Sequence, residues 1–173
     1  MHVTLIVATS ADGFIARKTE ESSFDWTSPE DKQFYIQTIK EYKTVVMGSR
    51  SFQTFTRYPK GLRFIIYSRS PENFSNPKPH VITADATRVS PAELVETLRS
   101  EGVEKVLIAG GSSIYTQFFA AGVVDTLYIT QEPVFFGQGV PLFTKSIEER
   151  VQLLSSRKLN DRGTLLLQYQ VEK

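Results

Sequence analysis

Short apolar runs recur along the chain, separated by polar stretches in which apolar residues return at helical spacing. His2–Ala8 (H-V-T-L-I-V-A) is rich in β-branched residues and predicts a central strand. Thr44–Met47 predicts a second, ended by Gly48, and Leu62–Tyr67 a third, ended by Ser68-Arg69-Ser70-Pro71. Val81–Thr83 is a weak fourth. Val106–Ala109 is an unbroken apolar run, the pattern of a strand buried on both faces of a parallel sheet. Thr126–Thr130 follows, and Val151–Lys158 with Thr164–Val171 predicts an antiparallel hairpin turned at Asp161-Arg162-Gly163. Between the strands lie helix signals. Ser28-Pro29-Glu30-Asp31 supplies a cap, a proline at the first position and acids in the first turn, with Phe34, Tyr35, Ile36 and Ile39 as the buried face. Ser90-Pro91-Ala92-Glu93 is a capping box; Leu94, Val95 and Leu98 face inward and Gly102 stops the helix. Ser112 and Ser113 stand where an N-cap belongs, ahead of Ile114, Tyr115, Phe118 and Phe119. Alternating strands and helices with a closing hairpin predict an α/β sheet with an antiparallel edge.

The connections sharpen this picture. Thr9–Thr27 is a long loop holding the turn dipeptide Asp12-Gly13 and ending in Phe24, Asp25 and Trp26, a candidate lid. Pro71–Pro79 reads as a surface loop, and Phe135–Phe143 mixes turn-formers with apolar residues. Neither a repeat nor a linker interrupts the 173 residues, so one domain spanning 1–173 is expected. Net charge is +1 with both signs mixed, which gives no footing for nucleic acid or an anionic membrane. The absence of cysteine excludes disulfides, thiolate catalysis and iron–sulfur clusters. His2 and His80 are the only histidines and neither adjoins an acidic cluster, so no metal is expected. With no signal-peptide pattern and no apolar run near the ~20 residues of a membrane span, a cytoplasmic protein is expected.

Ligands of open α/β sheets sit at the carboxyl ends of the strands. Those ends are Ala8 with its loop, Gly48-Ser49-Arg50-Ser51, Ser68-Arg69-Ser70 and Gly110-Gly111-Ser112-Ser113. The last joins a strand to a helix N-terminus through a turn without side chains, which suits a phosphate or pyrophosphate. Arg50 and Arg69 among hydroxyls suit further phosphates, since arginine forks onto phosphate oxygens. Bare alternatives stand beside each: a tight turn with no ligand, and arginines that are solvated surface charges. Neither G-x-G-x-x-G nor a P-loop is present, so the pattern suggests phosphate without naming an activity.

Taken together, these stretches resemble a known family. Trp26–Asp31 (W-T-S-P-E-D) is similar to the W-x-x-P-x-D that opens the active-site helix of dihydrofolate reductases. Val45–Phe52, Ile65–Arg69, Ile108–Tyr115 and Leu127–Thr130 fall in the order of that family's cofactor segments and following strand. Ala11–Ala16 and Pro133–Phe143 resemble more closely a relative, the reductase domain of riboflavin biosynthesis and its stand-alone homologues. The resemblance implies a dihydrofolate reductase-like fold: a mostly parallel central sheet with helices on both faces and an antiparallel C-terminal hairpin. It also implies NADPH as cofactor, a pterin-like or aminopyrimidine substrate reduced at a C=N bond, and a homodimer.

Carried over residue by residue, the resemblance makes Gly110 and Gly111 the cis-linked pair beside the pyrophosphate. Ser112, Ser113 and Ile114 follow along the phosphates, with Tyr115 near the nicotinamide. Gly48, Ser49, Arg50 and Ser51 close the second strand against the cofactor phosphates, Ser68 and Arg69 hold the 2′-phosphate, and Ala8 and Ile15 flank the nicotinamide. Asp31 carries the chemistry, Thr130 orients its carboxylate, and Trp26 and Tyr35 meet the substrate. By spacing alone Tyr115 is a core aromatic and Asp31 a first-turn acid facing the helix dipole. One departure is informative. Dihydrofolate reductases place an arginine directly after a glycine before the third strand, to bind the glutamate of folate; here Leu62 follows Gly61 and Arg63 points to the other side. Ser49 and Ser112 also depart from the pattern, standing in place of a basic residue and a third glycine. A non-catalytic dinucleotide-binding module stays open as the second class.

Overall fold

The β-branched runs pair side by side because each is apolar on both faces and needs a cover on each. The structure is a computed structural model that describes residues 1–54, 61–70, 81–85 and 89–173, of which 81–85 by their backbone alone. The first half holds β1 (His2–Ser10), β2 (Phe14–Ala16), α1 (Pro29–Tyr42), β3 (Thr44–Gly48), α2 (Ser49–Gln53), β4 (Arg63–Ser68) and β5 (Val81–Asp85). After these come α3 (Pro91–Ser100), β6 (Lys105–Ile108), α4 (Ser112–Ala120), β7 (Thr126–Glu132), β8 (Val140–Pro141), β9 (Val151–Lys158) and β10 (Leu165–Val171). Eight of the strands form one sheet in the order β5-β4-β3-β6-β1-β7-β10-β9. Every pair from β5 to β7 is parallel, and β10 and β9 close the edge antiparallel. This is the dihydrofolate reductase-like α/β architecture expected.

Alternation along the strands sorts the core onto two faces. Val3, Leu5, Val7, Val46 and Ile65 pack with Leu94 and Leu98 of α3 and Phe118 of α4. Ile6, Val45, Met47, Phe64 and Leu107 pack on the other face with Ile39 of α1 and Phe52 of α2. Ile36 is a correction: it is 39% exposed. The inward stripe of α1 runs through Asp31, Tyr35, Thr38, Ile39 and Tyr42, and Ile36 falls about 100° round from Tyr35.

Local structure departs from the sequence expectation in three places. The N-cap of α4 is Gly111, so Ser112 and Ser113 lie in its first turn. The long loop after β1 contains β2, which pairs antiparallel with β8, and a short 3-10 turn at Ser23–Asp25. Gly48 leads directly into the five-residue α2, a helix that the sequence pattern did not assign. The expected surface loop Pro71–Pro79 lies outside the described residues. Among the described residues no helix is long and apolar enough to cross a membrane.

Candidate active site

Parallel strands bring all their carboxyl ends to one edge of the sheet, and there a cavity of about 330 Å³ opens. Its wall takes Ala8 and Ile15 from β1 and the lid, Gly48 to Ser51 from β3 and α2, Ser68 and Arg69 from β4, and Gly110 to Tyr115 from β6 and α4. Asp31 and Tyr35 of α1 line it too. The separated stretches therefore converge on one space. Ala8 lies beside Thr130 in the parallel register of β1 and β7, which brings the end of β7 up to the same place.

The glycine pair makes a cradle that side chains would fill. The Gly110–Gly111 peptide is cis, and Gly110 has φ +104°. A Cβ on Gly110 would stand 3.1 Å from the Tyr115 hydroxyl, and one on Gly111 3.1 Å from Ser51 Oγ. The backbone N–H groups of the first turn of α4 lie at this cradle, with the positive end of the helix dipole. Arg50 and Arg69 are exposed on the cavity wall, and neither takes part in an ion pair with the described residues. Ser68 is buried and its Oγ accepts from the Ser70 N–H at 3.2 Å. Neutral donors, two cations and a helix N-terminus around one cleft fit a dinucleotide with several phosphates.

Two serine and tyrosine side chains are committed elsewhere. Ser112 Oγ donates to the Pro141 carbonyl at 2.6 Å, so that segment of the chain is tied to α4 while the Ser112 backbone stays at the cradle. The Tyr115 hydroxyl donates to the Ile6 carbonyl at 2.7 Å; the ring is buried in the core and shows the cavity one side. Burial holds its phenol well above the ordinary value, with the Tyr35 and Asp31 charges adding to the rise.

Asp31 is 6% exposed. Burial raises its pKa, the hydroxyls of Thr130 and Thr27 pull it back, and the nearby Glu132 charge raises it again. Thr27 Oγ1 is buried with no group in hydrogen-bond geometry, so the larger part of the pull comes from Thr130. Tyr35, one turn on, has its phenol pushed up by burial and by the Asp31 charge. A carboxyl in such surroundings can take up and give back a proton.

Trp26 does not line the cavity. The 3-10 turn aims Phe24 inward, where it meets Tyr35 edge-on at 5.5 Å, while Trp26 packs edge-on against Phe136 at 5.0 Å. Sequence reading missed Phe24 and Glu21 in the wall, because an irregular loop has no periodicity that assigns a facing. It also missed Glu132. That signal was present: Glu132 lies two residues past Thr130 in the same strand, hence on the same face.

Residues 1–165 match the family model of the RibD C-terminal domain. The chain belongs to that family. The RibD C-terminal domain family is a riboflavin-pathway reductase family, and its members share this chain's dihydrofolate reductase-like fold. An uncharacterized protein of Bacillus subtilis, YyaP, is 26% identical over 162 residues, covering 87% of this chain and 84% of its own length. The riboflavin biosynthesis protein RibD of Corynebacterium ammoniagenes is 24% identical over 153 residues, 80% of this chain and 45% of that protein. The crystal structure of a pyrimidine reductase-like protein from Corynebacterium diphtheriae superposes with a TM-score of 0.79 at 19% identity, covering 99% of this chain and 92% of that one.

Proposed function

We propose that this RibD C-terminal domain protein is an NADPH-dependent reductase that reduces a C=N bond of an aminopyrimidine substrate. The observation that carries the reading is the buried Asp31 carboxyl in the same cavity as a phosphate cradle that a Cβ on either glycine would fill. NADPH, when bound, supplies the hydride. Gly110, Gly111 and the first turn of α4 would hold its pyrophosphate, Arg50 the neighbouring phosphates, and Ser68 with Arg69 the 2′-phosphate. Ala8 and Ile15 would confine the nicotinamide. Asp31 holds a proton at the nitrogen of the substrate, Thr130 orients its carboxylate, and Tyr35 with Phe24 excludes water from that end.

Folate fits less well. Leu62 is 3% exposed in the core, and Arg63 is engaged with Glu101 at 2.5 Å at the amino end of β4, the edge of the sheet away from the cavity. Neither residue offers the guanidinium fork that a glutamate carboxylate needs. We further infer that the protein acts in the cytoplasm and as a homodimer.

The test is titration of NADPH fluorescence, followed by NADPH oxidation with the aminopyrimidine ribose phosphate precursor of riboflavin and, separately, with dihydrofolate. The expected result is saturable NADPH binding, turnover on the aminopyrimidine only, and a fall of about 10²-fold or more in kcat in Asp31→Asn with NADPH binding kept. NADPH binding without turnover on either substrate sinks the reductase reading and leaves a binding module.

A further inference from the structure

Two helices of this chain begin with the same four-residue pattern and use it differently. At α3, Ser90-Pro91-Ala92-Glu93 closes a capping box: Ser90 Oγ accepts from the Glu93 N–H at 3.2 Å, and Glu93 Oε2 accepts from the Ser90 N–H at 2.7 Å. At α1, Ser28-Pro29-Glu30-Asp31 makes only the first half. Ser28 Oγ accepts from the Asp31 N–H at 3.3 Å, but the Ser28 N–H does not go to Asp31. It donates instead to Glu132 Oε1 at 2.7 Å, from the end of β7.

Glu132 thus performs from another element the task that the third helical residue would perform locally. It is 5% exposed, and its second oxygen accepts from Thr164 Oγ1 at 2.7 Å. Thr164, fully buried, is fixed in turn by Asn160 of the β9–β10 turn, whose amide donates to Thr164 Oγ1 at 2.9 Å and to Glu30 Oε2 at 3.0 Å. The start of α1 is held from two sides. Among the described residues no cation pairs with Glu132, so its buried charge rests on neutral donors.

We propose that Glu132, held by Thr164, is a positioning residue that takes over the capping duty of Asp31 and so leaves the Asp31 carboxylate free to face the cavity. The proposal deepens the reductase reading and rests on it for the use made of Asp31. Without Glu132, the unsatisfied Ser28 N–H would draw Asp31 back into a local capping box, as Glu93 is drawn at α3. The groups around Asp31 that bear on its charge are Glu132 on β7, Lys32 on its own helix, and the phenols of Tyr35 and Tyr115. Glu30 and Arg162 flank the network on its outer side.

Three variants separate the outcomes: Glu132→Ala, which removes both acceptors; Glu132→Gln, which keeps an acceptor for Ser28; and Thr164→Val, which keeps shape and frees Glu132. Asp31 is followed by carboxyl ¹³C NMR titration, assigned with Asp31→Asn, and turnover is measured per NADPH-binding site. In Glu132→Ala the Asp31 pKa should fall below that of Glu132→Gln, because a carboxylate that accepts a backbone N–H favours its charged form. Its kcat should fall at least about tenfold, the scale of a misplaced catalytic group, with NADPH affinity within about threefold. Glu132→Gln should restore kcat to within about threefold of the parent, and Thr164→Val should move pKa and kcat in the direction of Glu132→Ala if that variant does not fold. Equal Asp31 titration in the Ala and Gln variants, or in Thr164→Val and the parent, overturns the proposal. If the titrations behave as expected while no form of the protein turns over, the reductase reading fails alone.

Discussion

At residue scale, Asp31 contributes a pH dependence opposite to that of the carboxylates whose pKa the fold lowers, such as Asp12, Glu21 and Asp125. Its pKa in the folded protein is raised above the ordinary 3.8 by burial first, and then by the Glu132 charge. Between 3.8 and that raised value Asp31 keeps more of its proton in the folded chain than in the unfolded one, so its own contribution to stability falls as pH rises through this window. Above the raised value the ionised Asp31 therefore weakens the fold. Asp31→Asn should melt higher than the parent above that value, because the burial cost of a charge at this position is removed. The gain should vanish below pH 3.8, and thermal melts at both ends of the range read it directly. Arg69 calls for a different measurement. It is exposed at the end of β4 with no ion pair among the described residues, so its charge is available to a 2′-phosphate. Arg69→Ala should weaken NADPH about 10- to 150-fold, the worth of a charged hydrogen bond of roughly 1.5–3 kcal/mol. NADH binding, measured by the same fluorescence titration, should be unchanged. The four stretches of chain that meet at the cavity were legible as strand ends. Trp26, which the resemblance set against the substrate, packs on Phe136 while Phe24 faces the cavity, since two aromatic residues in one loop carry no signal for which of them turns inward.

At the scale of elements, α1 and α3 could be placed from their caps because Ser-Pro starts are local chemistry. The pairing of β2 with β8 was hidden: three residues meet two, far too short for an alternation, and their partnership joins Phe14 to Pro141. Gly139 shows how tight this small sheet is. A Cβ there would come within 2.3 Å of the Ala16 carbonyl and 3.2 Å of the Phe14 Cβ, so backbone itself must move to admit it. The lid is held at the same place by Asp12, whose carboxylate accepts from the Phe136 N–H at 3.1 Å and the Gly137 N–H at 2.7 Å. The Arg17 guanidinium lies 4.4 Å over the Phe136 ring. Gly139→Ala should therefore cost about 1–3 kcal/mol, as overpacking does. Urea unfolding gives the loss, and hydrogen exchange of the lid should speed up, whereas that of β3 and β6 should follow only the global change. An unaltered lid in this variant would mean that β2 and β8 do not support it.

At the scale of the whole molecule, the class of fold was legible and the order of the strands was not. Alternating strand and helix signals imply parallel pairing, yet nothing local says that β1 lies between β6 and β7, because that depends on which faces the crossovers cover. The same limit applies to the outer edge. The sequence of β9 reads as half of a hairpin, but all eight of its residues are exposed, with Val151 at 40%, Leu153 at 50% and Leu154 at 49%. Its inner side pairs with β10, and a bulge opposite Gln168 and Tyr169 interrupts that register at Leu154. Among the described residues no strand pairs with the outer side and neither a proline nor a covering helix protects it, and β9 also exposes three apolar side chains. A second copy of the chain offers the same strand in return, and a two-fold contact between identical edges satisfies both. The homodimer inferred above would take β9 as its contact strand. Light scattering should give twice the chain mass for the parent and the chain mass for a Leu153→Glu/Leu154→Glu variant, with NADPH affinity kept because β9 takes no part in the cavity wall. A variant that remains dimeric would place the contact on another surface.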